Sequence, residues 1–267
     1  MTWDSLRGDG VTITASPLDS NRFGLSVGRV VVGTDTTDSA AAASDLARVL
    51  QTATEEVLIV RWPSALVGLG AAAAASGREI ITADVLTYWE VPPHELTAGT
   101  PDDPGIEILP APRADAASRQ AIADVVTSSF RDYASHYAAN PLLDPQLALA
   151  GYVEWAESCL SDAGKDVLLL TRDRRPLGVA TLQAGSEGDL EILLCGLAAE
   201  AQGQGLYQLL LHGVARFALT HEHRRIIIST QAHNVRAQRV WARAGLRPFA
   251  AVTTVHAVNG SARTGTK

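Results

Sequence analysis

The chain has 267 residues, 46% of them hydrophobic, a net charge of −7 and only 2 cysteines. This is enough apolar material for a real core in one large or two small domains. The acidic balance, the absence of a bilayer-length apolar run and the absence of Cys/His ligand spacing argue against a duplex nucleic-acid binder, a membrane protein, a disulfide scaffold and a zinc protein.

In chain order, Val11–Thr14 and Gly24–Gly33 read as strands. Ser39–Ala53 reads as a helix from the spacing of Leu46, Val49 and Leu50. Val57–Trp62 is a short apolar strand, the alanine-rich segment after Pro63 a helix, and Arg78–Val91 a strand again. This βαβαβ order predicts an α/β fold with helices packed on a mixed sheet. The segment Thr97–Gly105 is rich in Gly, Pro and Asp and reads as a linker. The expected organisation is an N-terminal domain over 1–98, a linker over 99–105, a second domain over 106–260 and a flexible tail over 261–267.

Beyond the linker, Ile106–Pro110 reads as a strand and Ala116–Ser128 as a helix. A polar-aromatic run, Phe130-Arg131-Asp132-Tyr133-Ala134-Ser135-His136-Tyr137, leads into a turn-rich loop over 140–145 and a helix near Gln146–Leu160. Val167–Thr171 and Gly178–Gln183 form a hairpin. Asp189–Leu197 is a strand that feeds Gln202-Gly203-Gln204-Gly205 and then a long helix, Leu206–Leu219. A glycine-rich turn that opens a helix is suited to an anion: the backbone bends closely around the ligand and unpaired helical N–H groups point at it. No Gly-Lys-Ser/Thr follows, and Gln208 stands where a dinucleotide fingerprint needs its third glycine, so a pyrophosphate held by backbone amides remains. A structural turn stays open as the alternative. Charge agrees with the ligand: residues 1–105 carry 6 basic and 14 acidic side chains, residues 106–267 carry 16 and 15.

After the strand Arg225–Gln231 come Asn234, Ala237, Trp241, Gly245 and Leu246. Asn234 is placed to cap a helix and Gly245 to end it. The glycine loop and this second motif together resemble the GNAT superfamily of acyl-CoA N-acyltransferases, whose patterns are Gln/Arg-x-x-Gly-x-Gly/Ala and Asn-x-x-Ala-x-x-x-Tyr-x-x-x-Gly-Phe. The resemblance covers about residues 106–258. It implies the GNAT fold and acetyl-CoA as co-substrate, bound by Leu197, Ala198, Ala199, Gln202, Gly203, Gln204, Gly205, Leu206, Tyr207, Asn234, Ala237 and Trp241. Glu200 stands in place of the usual Gln or Arg, and Trp241 in place of the usual tyrosine. An indole N–H donates a hydrogen bond but is no general acid, so Trp241 either packs on CoA or is core. The segments around Leu18–Gly24, His136-Tyr137, and Tyr152 with Trp155 look like the TDP-fucosamine N-acetyltransferase branch, which implies a partial GNAT-like N-terminal domain.

The resemblance implies N-acetyl transfer to the primary amine of a small molecule, with a nucleotide-linked amino sugar as the narrower expectation. Another amine (amino acid, polyamine, antibiotic or protein N-terminus) and a non-catalytic CoA-binding module are the alternatives. Glu191, a lone carboxylate in an apolar strand, is the first candidate base; the other reading is a solvated strand end or a partner for arginine. Strand alternation places Glu191, Leu193, Cys195 and Leu197 on one face. His136 is the second candidate, as base, as acceptor-binding group with Tyr133 and Tyr137, or as a loop histidine without a role. Neither metal, nucleic acid nor membrane is expected as a partner. A homodimer is expected from the open sheet edge typical of the fold. Without a cleavable leader, the expected compartment is the cytoplasm.

Overall fold

The computed structural model describes residues 2–97, 104–113 and 115–260. Of the expected linker only Pro104 and Gly105 fall among them, and the expected tail, 261–267, lies outside them. Contacts group the chain differently from the contiguous division at 99–105. One unit takes the described residues of Met1–Trp3, Tyr88–Tyr133 and Ala148–Phe249; the other takes those of Asp4–Thr87, Ala134–Leu147 and Ala250–Lys267.

The second of these units contains β1 (Val11–Ala15), α1 (Pro17–Phe23), β2 (Val27–Val32), α2 (Ser39–Thr52), β3 (Val57–Pro63), α3 (Leu69–Ala74), most of β4 (Glu79–Val91) and most of β10 (Arg247–Val258). Its strand order is β1-β2-β3-β10-β4. The β2–β3 pair is parallel, and the β1–β2 and β3–β10 pairs are antiparallel. Helix α2 starts where the Asp38 carboxylate accepts the N–H groups of Ala40 and Ala41. It lays Ala42, Leu46 and Leu50 on Val30, Val32, Leu58, Val60, Trp62, Val255 and Ala257, all buried. Strand alternation then puts Arg29, Arg61, Thr254 and His256 on the opposite face.

Two elements here escape the sequence reading. Helix α1 begins with Pro17 at its first position and ends at Gly24 in the left-handed conformation, φ 65°. Strand β10 follows Gly245 directly and is rich in β-branched residues.

The other unit holds β5 (Ile106–Pro110), α4 (Ala116–Phe130), α5 (Pro145–Ser161, mostly), β6 (Lys165–Arg172), β7 (Arg175–Ala184), β8 (Asp189–Leu197), α6 (Leu206–Thr220), β9 (Arg225–Gln231) and α7 (Val235–Arg243). Strands β5 to β8 form an antiparallel meander, and α6 crosses over to bring β9 parallel to β8. The β6–β7 turn uses Asp173 and Arg174 at positive φ. Helices α4 and α5 pack on Val167, Val179 and Leu194. Helices α6 and α7 pack on Leu168, Leu170, Ala180, Leu182 and Ile192, from the other face. Among the described residues no helix is long and apolar enough to cross a membrane.

Candidate functional site

Strands β8 and β9 begin together and then part. Their ladder runs from Asp189↔Arg225 to Ile192↔Ile228 and stops, although β8 continues to Leu197 and β9 to Gln231. The start is clamped: the Arg225 guanidinium donates to both oxygens of Asp189, at 2.8 and 2.5 Å, and to Glu90 at 2.7 Å. The parting coincides with a bulge. Thr181 faces Leu194 and Leu182 faces Ile192, so Leu193 is an extra residue that β7 does not match. Beyond it, β8 backbone groups that point away from β7 have no ladder partner from β9.

The bulge also reverses the alternation of side chains. Leu190 and Ile192 pack toward α6, and so do Cys195 and Leu197 beyond the extra residue. Glu191 therefore shares a face with Leu194 and Gly196. This corrects the expectation that Glu191, Leu193, Cys195 and Leu197 share one.

Where β8 ends, the chain turns through the glycine loop into α6. Gly203 and Gly205 have φ of 79° and 77°, and Gly205 is the N-cap residue without a side-chain cap. Both glycines are needed for conformation, since a Cβ at either would meet open space. Their flanks are held by side chains. Gln202 donates to the Leu197 carbonyl and accepts from Arg236 at 3.0 Å; Gln204 donates to the Glu200 carbonyl and accepts from Arg172 at 3.1 Å. Two guanidinium groups thus stand beside a helix start whose N–H groups favour an anion. The amides just upstream are engaged: Ala198 N–H donates to Leu177 O at 2.8 Å, and Ala199 N–H to Ser128 Oγ at 2.9 Å. Ala198 and Ala199, two of the residues expected at acetyl-CoA, thus use their amides within the fold.

Around the parted strands lies a connected set of polar side chains. Trp241 Nε1 donates to Tyr207 Oη at 3.1 Å, and the Tyr207 hydroxyl is hydrogen-bonded with the Cys195 thiol. Asn234 Nδ2 donates to Thr230 Oγ1 at 2.9 Å, and the Tyr133 hydroxyl lies 3.4 Å from the same oxygen. Asn234 also caps α7 through the Ala237 N–H. Burial pushes the Cys195 thiol up to about 12 and the Tyr207 phenol well above its usual range. Both are therefore protonated at neutral pH. Phe130, Tyr133 and Tyr152 form an aromatic cluster with ring centroids 5.2–6.2 Å apart. Among the described residues no group of three His, Cys, Asp or Glu side chains could hold a metal ion.

A strand pair that opens above a glycine-started helix can be compared with known proteins. Residues 127–246 match the model of the Acetyltransferase (GNAT) family. No curated protein is significantly similar in sequence. Among solved structures, a GCN5-related N-acetyltransferase from Kribbella flavida is 18% identical with a TM-score of 0.56, over 88% of this chain and 82% of that one. A GCN5-related N-acetyltransferase from Sphaerobacter thermophilus is 13% identical with a TM-score of 0.58, over 93% and 76%. A tandem GNAT protein from the clavulanic acid biosynthesis pathway is 16% identical with a TM-score of 0.55, over 87% and 75%. The fold is that of the GNAT acetyltransferases.

Within this GNAT fold the expected residues separate. Gln202 to Tyr207, Asn234, Ala237 and Trp241 meet around the loop and the parted strands. Trp241 is core: it is 2% exposed, sits edge-on to Trp89 at 6.1 Å and turns its N–H to Tyr207. Glu191 is buried on β8, and its Oε2 accepts the Trp3 N–H at 2.7 Å. Tyr133 belongs to the unit that carries the loop, whereas His136 and Tyr137 belong to the other. There His136 Nδ1 lies 2.9 Å from His256 Nε2, and burial, with Arg61 and His256 adding to it, holds its imidazole well below its usual range. Tyr137 donates to Asp19, which is ion-paired with Arg29. Arg172, Arg236 and Thr230 also lie at the loop and the parted strands and are not among the expected site residues; only Arg172 carries a local signal, since it stands with Arg174 and Arg175 at the β6–β7 turn.

Proposed function

We propose that the protein is an acetyl-CoA-dependent N-acetyltransferase acting on a primary amine of a small molecule. The observation that carries this reading is the parting of β8 from β9 at Ile192↔Ile228 above a loop with Gly203 and Gly205 both at positive φ. The loop amides, Arg172 and Arg236 suit the pyrophosphate and phosphate charges of CoA. The unpaired backbone of β8 suits the amide-bearing arm of CoA and an oxyanion formed at the thioester carbon.

Transfer is direct in this reading. The deprotonated amine attacks the thioester carbon, the oxyanion collapses, and the sulfur leaves. Cys195 has no part as an acyl carrier in this reading: its side chain packs toward α6 beside Tyr207, and burial raises its thiol. We assign the base to Glu191, whose carboxylate is buried on the strand that opens. In this reading the aromatic cluster of Phe130, Tyr133 and Tyr152 lines the acceptor, which fits a ring-bearing amine such as a nucleotide-linked amino sugar.

Titration calorimetry with acetyl-CoA, followed by free-thiol release with amino-sugar nucleotides, amino acids, polyamines and aminoglycosides, tests the proposal. Binding with amine-dependent thiol release is expected. Absence of acetyl-CoA binding overturns it, and binding without release to any amine leaves a CoA-binding module instead.

A further inference from the structure

We propose that Tyr207 protonates the departing CoA sulfur, with Trp241 as its positioning residue. The inference rests on the acyl-transfer reading and deepens it. A thioester expels a poor leaving group unless a proton or a hydrogen bond meets the sulfur as the C–S bond breaks. Among the polar groups at the parted strands, Trp241 offers only an N–H and Thr230 only an alcohol of very low acidity, and the other phenol, Tyr133, faces the Thr230 hydroxyl at 3.4 Å. Tyr207 is a phenol in the first turn of α6, two residues past Gly205. Its oxygen already accepts the Trp241 N–H at 3.1 Å. One lone pair is therefore occupied, and the single O–H is left to another acceptor. The neighbour that meets it is a sulfur, the Cys195 thiol.

Both Tyr207 and Cys195 are only partly buried, and Cys195 lies two residues beyond the bulge, on the stretch that β9 has left. The phenol is thus presented where the ligand's sulfur would arrive, and exchanges one sulfur partner for another. The balance is simple. The amine nitrogen gives its lone pair to the carbonyl carbon and its proton to the base. The C–S electron pair goes to sulfur, which takes the phenol proton and becomes a thiol. The Trp241 N–H steadies the phenolate until solvent returns a proton, so no redox partner is needed.

The test reads the sulfur directly. The thiol pKa of bound CoA is followed by thiolate absorbance, with desulfo-CoA as the blank and calorimetry confirming occupancy. In Tyr207→Phe that pKa is expected to rise by about one unit or more, because a hydrogen bond to a charged acceptor is lost. CoA affinity at neutral pH should stay within a few-fold, and acyl-transfer kcat should fall at least tenfold. Trp241→Phe keeps the phenol and loses its anchor, so a smaller rise is expected. The double variant should be no worse than Tyr207→Phe alone. An unchanged thiol pKa in Tyr207→Phe, or additive effects of the two substitutions, overturns the assignment while acyl transfer by the wild type stands. If the wild type binds no CoA, both readings fall.

Discussion

Glu191→Gln keeps an oxygen for the Trp3 amide and removes the negative charge, so it separates a base from a structural acceptor. As the general base, Glu191 makes the variant lose about a hundredfold or more in kcat. Affinity for acetyl-CoA and the thermal midpoint should stay close to wild type. Thiol-release kinetics with calorimetry decides the matter, and an undiminished kcat returns Glu191 to a purely structural role. At Gly205, with φ 77° and open space where a methyl would sit, an alanine costs only conformation, about 1 kcal/mol. The Gly205→Ala variant should fold and bind acetyl-CoA more weakly, as measured by calorimetry. The glycines and Asn234 were legible because turn and cap chemistry is local. Arg236 was not: it looked like any charge on a helix surface, and only the folded loop shows Gln202 as its partner.

Most elements could be read from periodicity, and several strand limits, such as Arg225–Gln231, coincide with the observed ones. What periodicity does not carry is a change of phase. Nothing in Glu191-Ile192-Leu193-Leu194-Cys195 marks Leu193 as unmatched, because every neighbour is apolar and would be content on either face. The face assigned to Glu191 therefore came out wrong, while the strand itself came out right. Below the bulge, the clamp of Asp189, Arg225 and Glu90 holds the closed end of the strand pair. Arg225→Met leaves Asp189, 3% exposed, as a buried charge without its guanidinium. A loss of about 3 kcal/mol is expected in urea unfolding. A loss below about 1 kcal/mol would mean that the parting of the strands needs no clamp at its base.

For the molecule as a whole, acid is the informative perturbation. Burial, aided by Arg61, lowers His256 to about 4 and holds His136 well below its usual range. The unfolded chain takes up protons on both below about pH 6.5, while the folded chain does not. Stability should therefore be level above about pH 6.5 and fall from there toward about pH 4, by a few kcal/mol in total. Denaturant titrations at several pH values should show this limb, and His256→Gln should flatten it; an unaltered slope would place the sensitivity elsewhere. The division into units was the part least legible. The Pro/Gly/Asp composition of Thr97–Gly105 reads as a linker in the sequence, but no local property tells that Tyr88–Val91 or Ala134–Leu147 group with a partner far along the chain. The strand order β1-β2-β3-β10-β4 has a consequence for synthesis. The inner strand between β3 and β4 is β10, which the sequence reaches only after the whole of β5 to α7, so the sheet of this unit has a gap until those elements have been translated. On the ribosome, β3 and β4 must wait unpaired on that side, exposed to wrong partners, and a stop codon before Arg247 would leave the unit of β1 to β3 without its inner strand.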